Sequence, residues 1–142
     1  MKPKILVVAA NYYEKITSTL SEHTTAVLDK KTKYKFIHVP GIFEIPVAIA
    51  KNIKKYDGFV ALGCVIKGET PHFDFISSAT TNAIMKLSID YKKPIGNGII
   101  TCLNMEQAIV RSSKKGQEAA KAALSILGFQ KWEKMKPLKI LG

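Results

Sequence analysis

The stretch "GFVALGCVI" at 58–66 holds nine consecutive residues without one polar side chain, bounded by Asp57 and Lys67. It is too short for a packed helix and rich in β-formers. A strand presents alternate residues to opposite faces, so an unbroken apolar strand needs cover on both sides. That calls for a sheet with helices on each face. Three further strands complete the sheet: "KILVVAA" at 4–10, apolar on both faces, "YKFIHVP" at 34–40, which alternates and stops at proline, and "GNGIITCL" at 96–103.

Helical patterns separate the strands. Residues 13–29 are moderately helical. "FEIPVAIAKNIKKY" puts Ile45, Ala48, Ile49 and Ile53 on one stripe, with Pro46 confined to the first turn. "FDFISSATTNAIMKLSID" sets Ile76, Ala79, Ala83 and Leu87 at helical spacing. "NMEQAIVRSSKKGQEAAKAALSIL" is helical at both ends, with Asn104 as N-cap, Gln107 three residues later, and Gly116 as an expected break. The order β-α-β-α-β-α-β-α predicts an α/β fold: a three-layer αβα sandwich on a four-stranded parallel sheet, doubly wound by right-handed crossovers. A chain of 142 residues accommodates this as a single domain over 1–142. The site then falls beyond the carboxyl ends of the strands, at 10–12, 40–44, 63–72 and 101–104.

Composition narrows the function. No apolar run approaches a membrane span, and the apolar stretch near the N-terminus lacks a small-residue cleavage site, so a cytoplasmic protein with no membrane partner is expected. Cys64 and Cys102 each end an apolar run; their number and spacing suit buried hydrophobes rather than a zinc site or disulfide, and no metal is expected. The net charge of +11 favours anionic partners. Yet the lysines are spread along the chain. The densest clusters, "LDKKTKYK" and "QKWEKMKPLK", carry no recognisable RNA motif, so a solvated surface and no nucleic-acid partner are expected.

The chemistry concentrates after the third strand, in "KGETPHFDF". Thr70 suits an N-cap and Pro71 a first helical position, which sets His72 in the first turn of a helix. Free N–H groups around 68–70 make an anion site there. The same positive helix end disfavours a charged imidazole and keeps His72 ready to accept a proton. The Glu69 carboxylate must point away from such an anion. "VPGIFEIPVA" turns at Pro40-Gly41 and starts a helix at Glu44, where a carboxylate is electrostatically at home whether or not it binds anything. Tyr12 and Tyr13 end the first strand, where an aromatic either packs or stacks on a planar ring. Arg111, Lys114 and Lys115 form a basic cluster that is either a phosphate site or a solvated helix face.

Three stretches, "VPGIFEIP", "ALGCVIKGETPHFDF" and "PIGNGIIT…NMEQA", resemble in order and spacing the signature regions of the lumazine synthase family of riboflavin biosynthesis, and the likeness covers about 4–127. The resemblance implies a flavodoxin-like fold and a transferase. It would condense 5-amino-6-(D-ribitylamino)uracil with 3,4-dihydroxy-2-butanone 4-phosphate to 6,7-dimethyl-8-ribityllumazine, releasing phosphate and water, with no cofactor. It implies proton transfer by His72, stacking on the pyrimidine by Tyr12, and a ribityl-aminouracil segment at Ile42, Phe43 and Glu44. Cys64, Val65 and Ile66 would line the pyrimidine pocket. Glu69 and Thr70 would bind phosphate through backbone N–H groups, Arg111 would grip it, and Lys115 resembles a second basic residue. Asn97 matches a position contributed by a neighbouring subunit.

The resemblance also implies a homo-oligomer with active sites between subunits, and opens riboflavin synthase as a further partner. Lys67 stands where arginine is common, which keeps the charge and loses the planar fork. "VRSSKKGQEAA" is shorter than in many relatives, where the longer segment accompanies icosahedral shells; with the short N-terminus this favours a pentamer or decamer. Whether Lys114 or Lys115 matches the family lysine stays open. The alternative is a non-catalytic flavin- or lumazine-binding homologue of the same fold, against which His72, Arg111 and the Gly-Glu-Thr turn speak, since storage needs no phosphate chemistry.

Overall fold

The computed structural model describes residues 1–68 and 73–128. Strand β1 (Lys4–Ala10) leads to α1 (Glu14–Leu28) and β2 (Lys33–Val39). A 3-10 turn at Ile42–Glu44 runs into α2 (Ile45–Asn52), then β3 (Gly58–Ile66), α3 (Phe73–Tyr91), β4 (Ile95–Cys102) and α4 (Met105–Ile126). The four strands form one sheet in the order β2-β1-β3-β4, and every pairing is parallel. This is the doubly wound α/β sandwich that the alternating pattern predicts.

Period-two alternation splits each central strand between two cores. Ile5, Val7, Ala9, Val60 and Leu62 pack against α1 and α4. Leu6, Val8, Ala10, Phe59 and Ala61 pack against α2 and the inner side of α3. All nine residues of β3 are buried. At about 25 cal/mol per Å² of apolar surface, burying one such Val or Leu side chain contributes roughly 1.5–3 kcal/mol. The outer strand β4 alternates buried with half-buried or exposed positions, as one covered face requires.

Two details depart from the sequence reading. Helix α4 runs unbroken through Gly116. That glycine is a contact point rather than a break: a Cβ there would lie 2.5 Å from the Leu20 carbonyl oxygen of α1. The Thr24 hydroxyl donates to the Gly116 carbonyl across the same seam at 3.1 Å. In α3 the buried residues are Thr80 and Ile84, while Ala79 is exposed and Ile76, Ala83 and Leu87 are half-buried. The helix also carries exposed Phe75, Met85 and Ile89, and this second apolar side blurs the stripe. Asn104 caps α4 as expected. Its side-chain oxygen accepts from the Gln107 N–H at 2.9 Å, and the Gln107 side-chain oxygen accepts from the Leu103 N–H at 2.9 Å.

Candidate active site

Leaving β1, the chain turns one way to β2; leaving β2, it crosses back over β1 to β3. The carboxyl ends of β1 and β3 therefore flank a topological switch point, where doubly wound sheets open a crevice. A cleft of about 270 Å³ lies at this edge, lined by Tyr12 and Tyr13, by 41–44, by Cys64, Val65 and Ile66, and by Ile76 of α3.

Each wall has a local cause. The Asn11 N–H donates to the Val39 carbonyl at 2.9 Å, which ties the exit of β1 to the end of β2. The buried Thr17 hydroxyl donates to the Ala10 carbonyl at 2.6 Å and anchors α1 beneath the same turn. Held so, Tyr12 projects with 73% of its surface exposed, its ring edge-on to Tyr13 at 4.9 Å. Across the cleft the 3-10 turn buries Ile42 and leaves Phe43 57% exposed. Gly63 makes room for Ile42: a side chain there would run into the Ile42 methyl and meet Ala10 Cβ at 3.2 Å. Two exposed rings thus face solvent beside an apolar floor, a geometry suited to a flat heterocycle.

The polar end lies toward β4. The Lys67 N–H donates to the Cys102 carbonyl at 2.8 Å and joins the exits of β3 and β4. Arg111, one helical turn and a half into α4, brings its guanidinium to 4.0 Å from the Cys102 sulfur. Gly68 adopts a left-handed φ of 92°, a conformation natural to glycine, shortly after the end of β3. Burial pushes the Cys64 thiol up to about 12, with the neighbouring Cys102 adding to the rise. Burial also raises Cys102, partly offset by the Arg111 charge. Both thiols are therefore protonated at neutral pH and behave as apolar groups, Cys64 in the cleft wall and Cys102 in the core, not as nucleophiles.

The structure brings Tyr12, Ile42, Phe43, Glu44, Cys64, Val65 and Ile66 to one cleft. Arg111 stands at the adjoining strand end. Asn97 lies in the middle of β4, exposed, paired with Ala61 and accepting the Ile99 N–H at 3.0 Å; it is away from this chain's cleft. Lys115 is half-buried on α4 and does not line the cleft either. Glu69, Thr70 and His72 lie outside the described residues. Sequence reasoning assigned no site role to Gly41 or Ile76 and left Tyr13 open between packing and stacking; the Pro40-Gly41 turn and the start of α3 were the signals that bore on them. Among the described residues there is no cluster of three or more His, Cys, Asp or Glu side chains able to hold a metal ion.

Fold and cleft together define the class: a doubly wound α/β protein with a ring-sized cleft at its switch point and a cationic group at the adjoining strand end. Residues 2–131 match the sequence profile of the family described as 6,7-dimethyl-8-ribityllumazine synthase. A protein of that name from Bartonella tribocorum is 44% identical over 138 residues, covering 92% of this chain and 91% of the relative. The protein of the same name from Agrobacterium fabrum is 44% identical over 142 residues, covering 92% and 96%. One from Bartonella bacilliformis is 41% identical over 140 residues, covering 92% of each. The chain belongs to the 6,7-dimethyl-8-ribityllumazine synthase family.

Proposed function

We propose that this chain condenses 5-amino-6-(D-ribitylamino)uracil with 3,4-dihydroxy-2-butanone 4-phosphate to give 6,7-dimethyl-8-ribityllumazine, phosphate and water. The observation that carries the reading is the convergence, at one switch point, of exposed Tyr12 and Phe43 over an apolar floor with Arg111 at the neighbouring strand end.

Tyr12 stacks on the pyrimidine, and the strand end at Cys64, Val65 and Ile66 presents main-chain groups to the ring's polar edge. Glu44 accepts hydrogen bonds from ribityl hydroxyls. The phosphate of the second substrate sits on the N–H groups of the turn after Gly68, including those of Glu69 and Thr70, with Arg111 as its fixed cation. The amine attacks the ketone and water leaves to form a Schiff base. Phosphate is then eliminated, the resulting enol tautomerises to a ketone, and the second nitrogen attacks that carbonyl and expels a second water to close the ring. His72 moves the protons that these steps release and require. Most of the acceleration comes from holding two substrates in register.

The site is completed by a neighbouring copy. Outside the cleft, most exposed large hydrophobics lie on two separate elements, among them Phe75, Met85 and Ile89 on α3 and Met105, Ile109 and Val110 on α4. Two different apolar faces suit a head-to-tail ring. In such a ring, a homopentamer or a pair of them, Asn97 on the outer strand and Lys115 on α4 serve the adjoining subunit's cleft. The enzyme works in the cytoplasm. Steady-state kinetics with Arg111→Ala test the assignment: KM for the butanone phosphate rises at least about tenfold, as loss of a charge-assisted contact requires, while KM for the pyrimidine stays near wild type. Equal rises for both substrates would remove Arg111 from the phosphate site.

A further inference from the structure

The lysines that the sequence disperses are gathered by the fold. Every strand begins at one edge of the sheet, opposite the cleft, and α1, α2 and α3 all end there. Lys4 and Lys33 open β1 and β2 and are direct register partners. Lys54 and Lys55 precede β3, and Lys31 and Lys92 sit in the turns that lead into β2 and β4; all six are exposed. We propose that this edge binds the phosphate backbone of a nucleic-acid duplex, a second function independent of the cleft's chemistry.

The edge stays net basic. Its six exposed lysines outnumber three carboxylates: Asp29 accepts from the Tyr34 hydroxyl at 2.9 Å, Asp57 from the Lys4 backbone N–H at 2.8 Å, and Asp90 pairs with Lys86 at 3.0 Å. That last contact is the one ion pair among the described residues. Cations at helix ends answer the helix dipole, but Lys4 and Lys33 stand on strands. Lys30 and Lys92 hold left-handed conformations, φ 68° and 54°, at helix-terminal turns where glycine or asparagine is the usual occupant. Side-by-side lysines at Lys4 and Lys33 repel one another until an anion lies across them.

Chemistry selects the partner. Neighbouring strands lie about 4.8 Å apart, so four strand starts span roughly 14 Å, the rise of about four phosphates along one strand of a duplex. A protein partner would need an apolar or aromatic centre, and a membrane an apolar anchor. Besides Met1, the exposed large hydrophobics at this edge are Tyr91 and Ile126, single residues at the ends of α3 and α4 that form no continuous apolar centre. Single strands are held by free aromatic rings. Here Tyr34 is tied to Asp29, Tyr56 packs on Phe59 beneath the Lys4 ammonium, 5.5 Å from its ring centre, and exposed Tyr91 offers one ring rather than a stacking row. What remains is a row of point charges that reads backbone and not sequence.

The test is fluorescence anisotropy of a labelled RNA duplex of mixed sequence, titrated with the full chain across a salt series. Three proteins are compared: wild type, an edge variant (Lys33→Gln, Lys54→Gln, Lys55→Gln) and a control of equal net charge (Lys15→Gln, Lys35→Gln, Lys121→Gln). Circular dichroism and lumazine formation confirm that both variants fold. The edge variant binds at least about tenfold more weakly at low salt, with a log-log salt slope shallower by about 2.7, as three lost phosphate contacts dictate. The control stays within about threefold of wild type. Absence of duplex binding by wild type, equal weakening of both variants, or tighter binding to a single strand or to phosphatidylserine vesicles would each overturn the proposal.

Discussion

Gly63 and Ile42 share one space: the strand residue gives up its side chain so that the turn residue can lie against the sheet between β1 and β3. The floor of the cleft depends on that exchange. In Gly63→Ala the new methyl meets the Ile42 side chain and Ala10 Cβ, and Ile42 must move. Overpacking of this kind costs about 1–3 kcal/mol. Urea unfolding should show the midpoint lowered with the slope unchanged, and KM for the pyrimidine should rise, because Phe43 and Glu44 follow Ile42 directly. A variant as stable and active as wild type would mean that the turn has slack.

Gly116 makes a different prediction, since its neighbour is backbone. A methyl there would stand 2.5 Å from the Leu20 carbonyl oxygen and 3.2 Å from His23 Cβ. Alanine favours an isolated helix over glycine by about 1 kcal/mol, yet Gly116→Ala should destabilise the protein, because α1 and α4 must separate and the Thr24 hydrogen bond is lost. Thermal unfolding monitored by circular dichroism reads the sign directly: a lowered Tm is expected, a raised one contradicts the contact.

Tyr12 is exposed, so its removal should leave stability within about 0.5 kcal/mol. Its role is in binding. Stacking of a base on an aromatic ring is worth about 1–3 kcal/mol, so Tyr12→Ala should raise KM for the pyrimidine by about 5- to 150-fold, with Tyr12→Phe near wild type. Isothermal titration with the pyrimidine alone separates this from any effect on the second substrate.

The raised Cys64 thiol ties stability to alkaline pH. Below about 9 the thiol is protonated in folded and unfolded chains alike, and no difference arises. Between about 9 and about 12 the unfolded chain releases a proton that the folded one keeps, so folding stability falls as pH rises through that window. Cys64→Ala costs stability at neutral pH through the cavity it leaves. The gap between wild type and variant should narrow from pH 9 upward, as measured by urea midpoints. A constant gap would place the thiol in a more solvated setting.

Much of the fold was legible because β1, β3 and β4 are apolar runs, β2 alternates with period two, and each helix has a different period. Asn104 and Gln107 announced the start of α4 by spacing alone. Gly116 was misread because a glycine within a helical pattern has two meanings, a break or a close approach, and only the position of α1 decides between them. The α3 stripe slipped because that helix is apolar on two sides, one facing the sheet and the other exposed. In the site, Tyr12, Ile42 and Cys64 could be expected from strand ends. The approach of Arg111 to Cys102 could not, since it depends on how α4 lies over β4. The lysine edge was invisible for the same reason: residues far apart in sequence meet only once four parallel strands are aligned.

The most direct test of the central claim is the rate of lumazine formation, followed by absorbance after mixing both substrates with the full chain and subtracting the uncatalysed condensation. The account predicts a saturable acceleration over background that is strongly reduced in His72→Ala. A folded protein that binds the pyrimidine yet adds nothing to the background rate would contradict it.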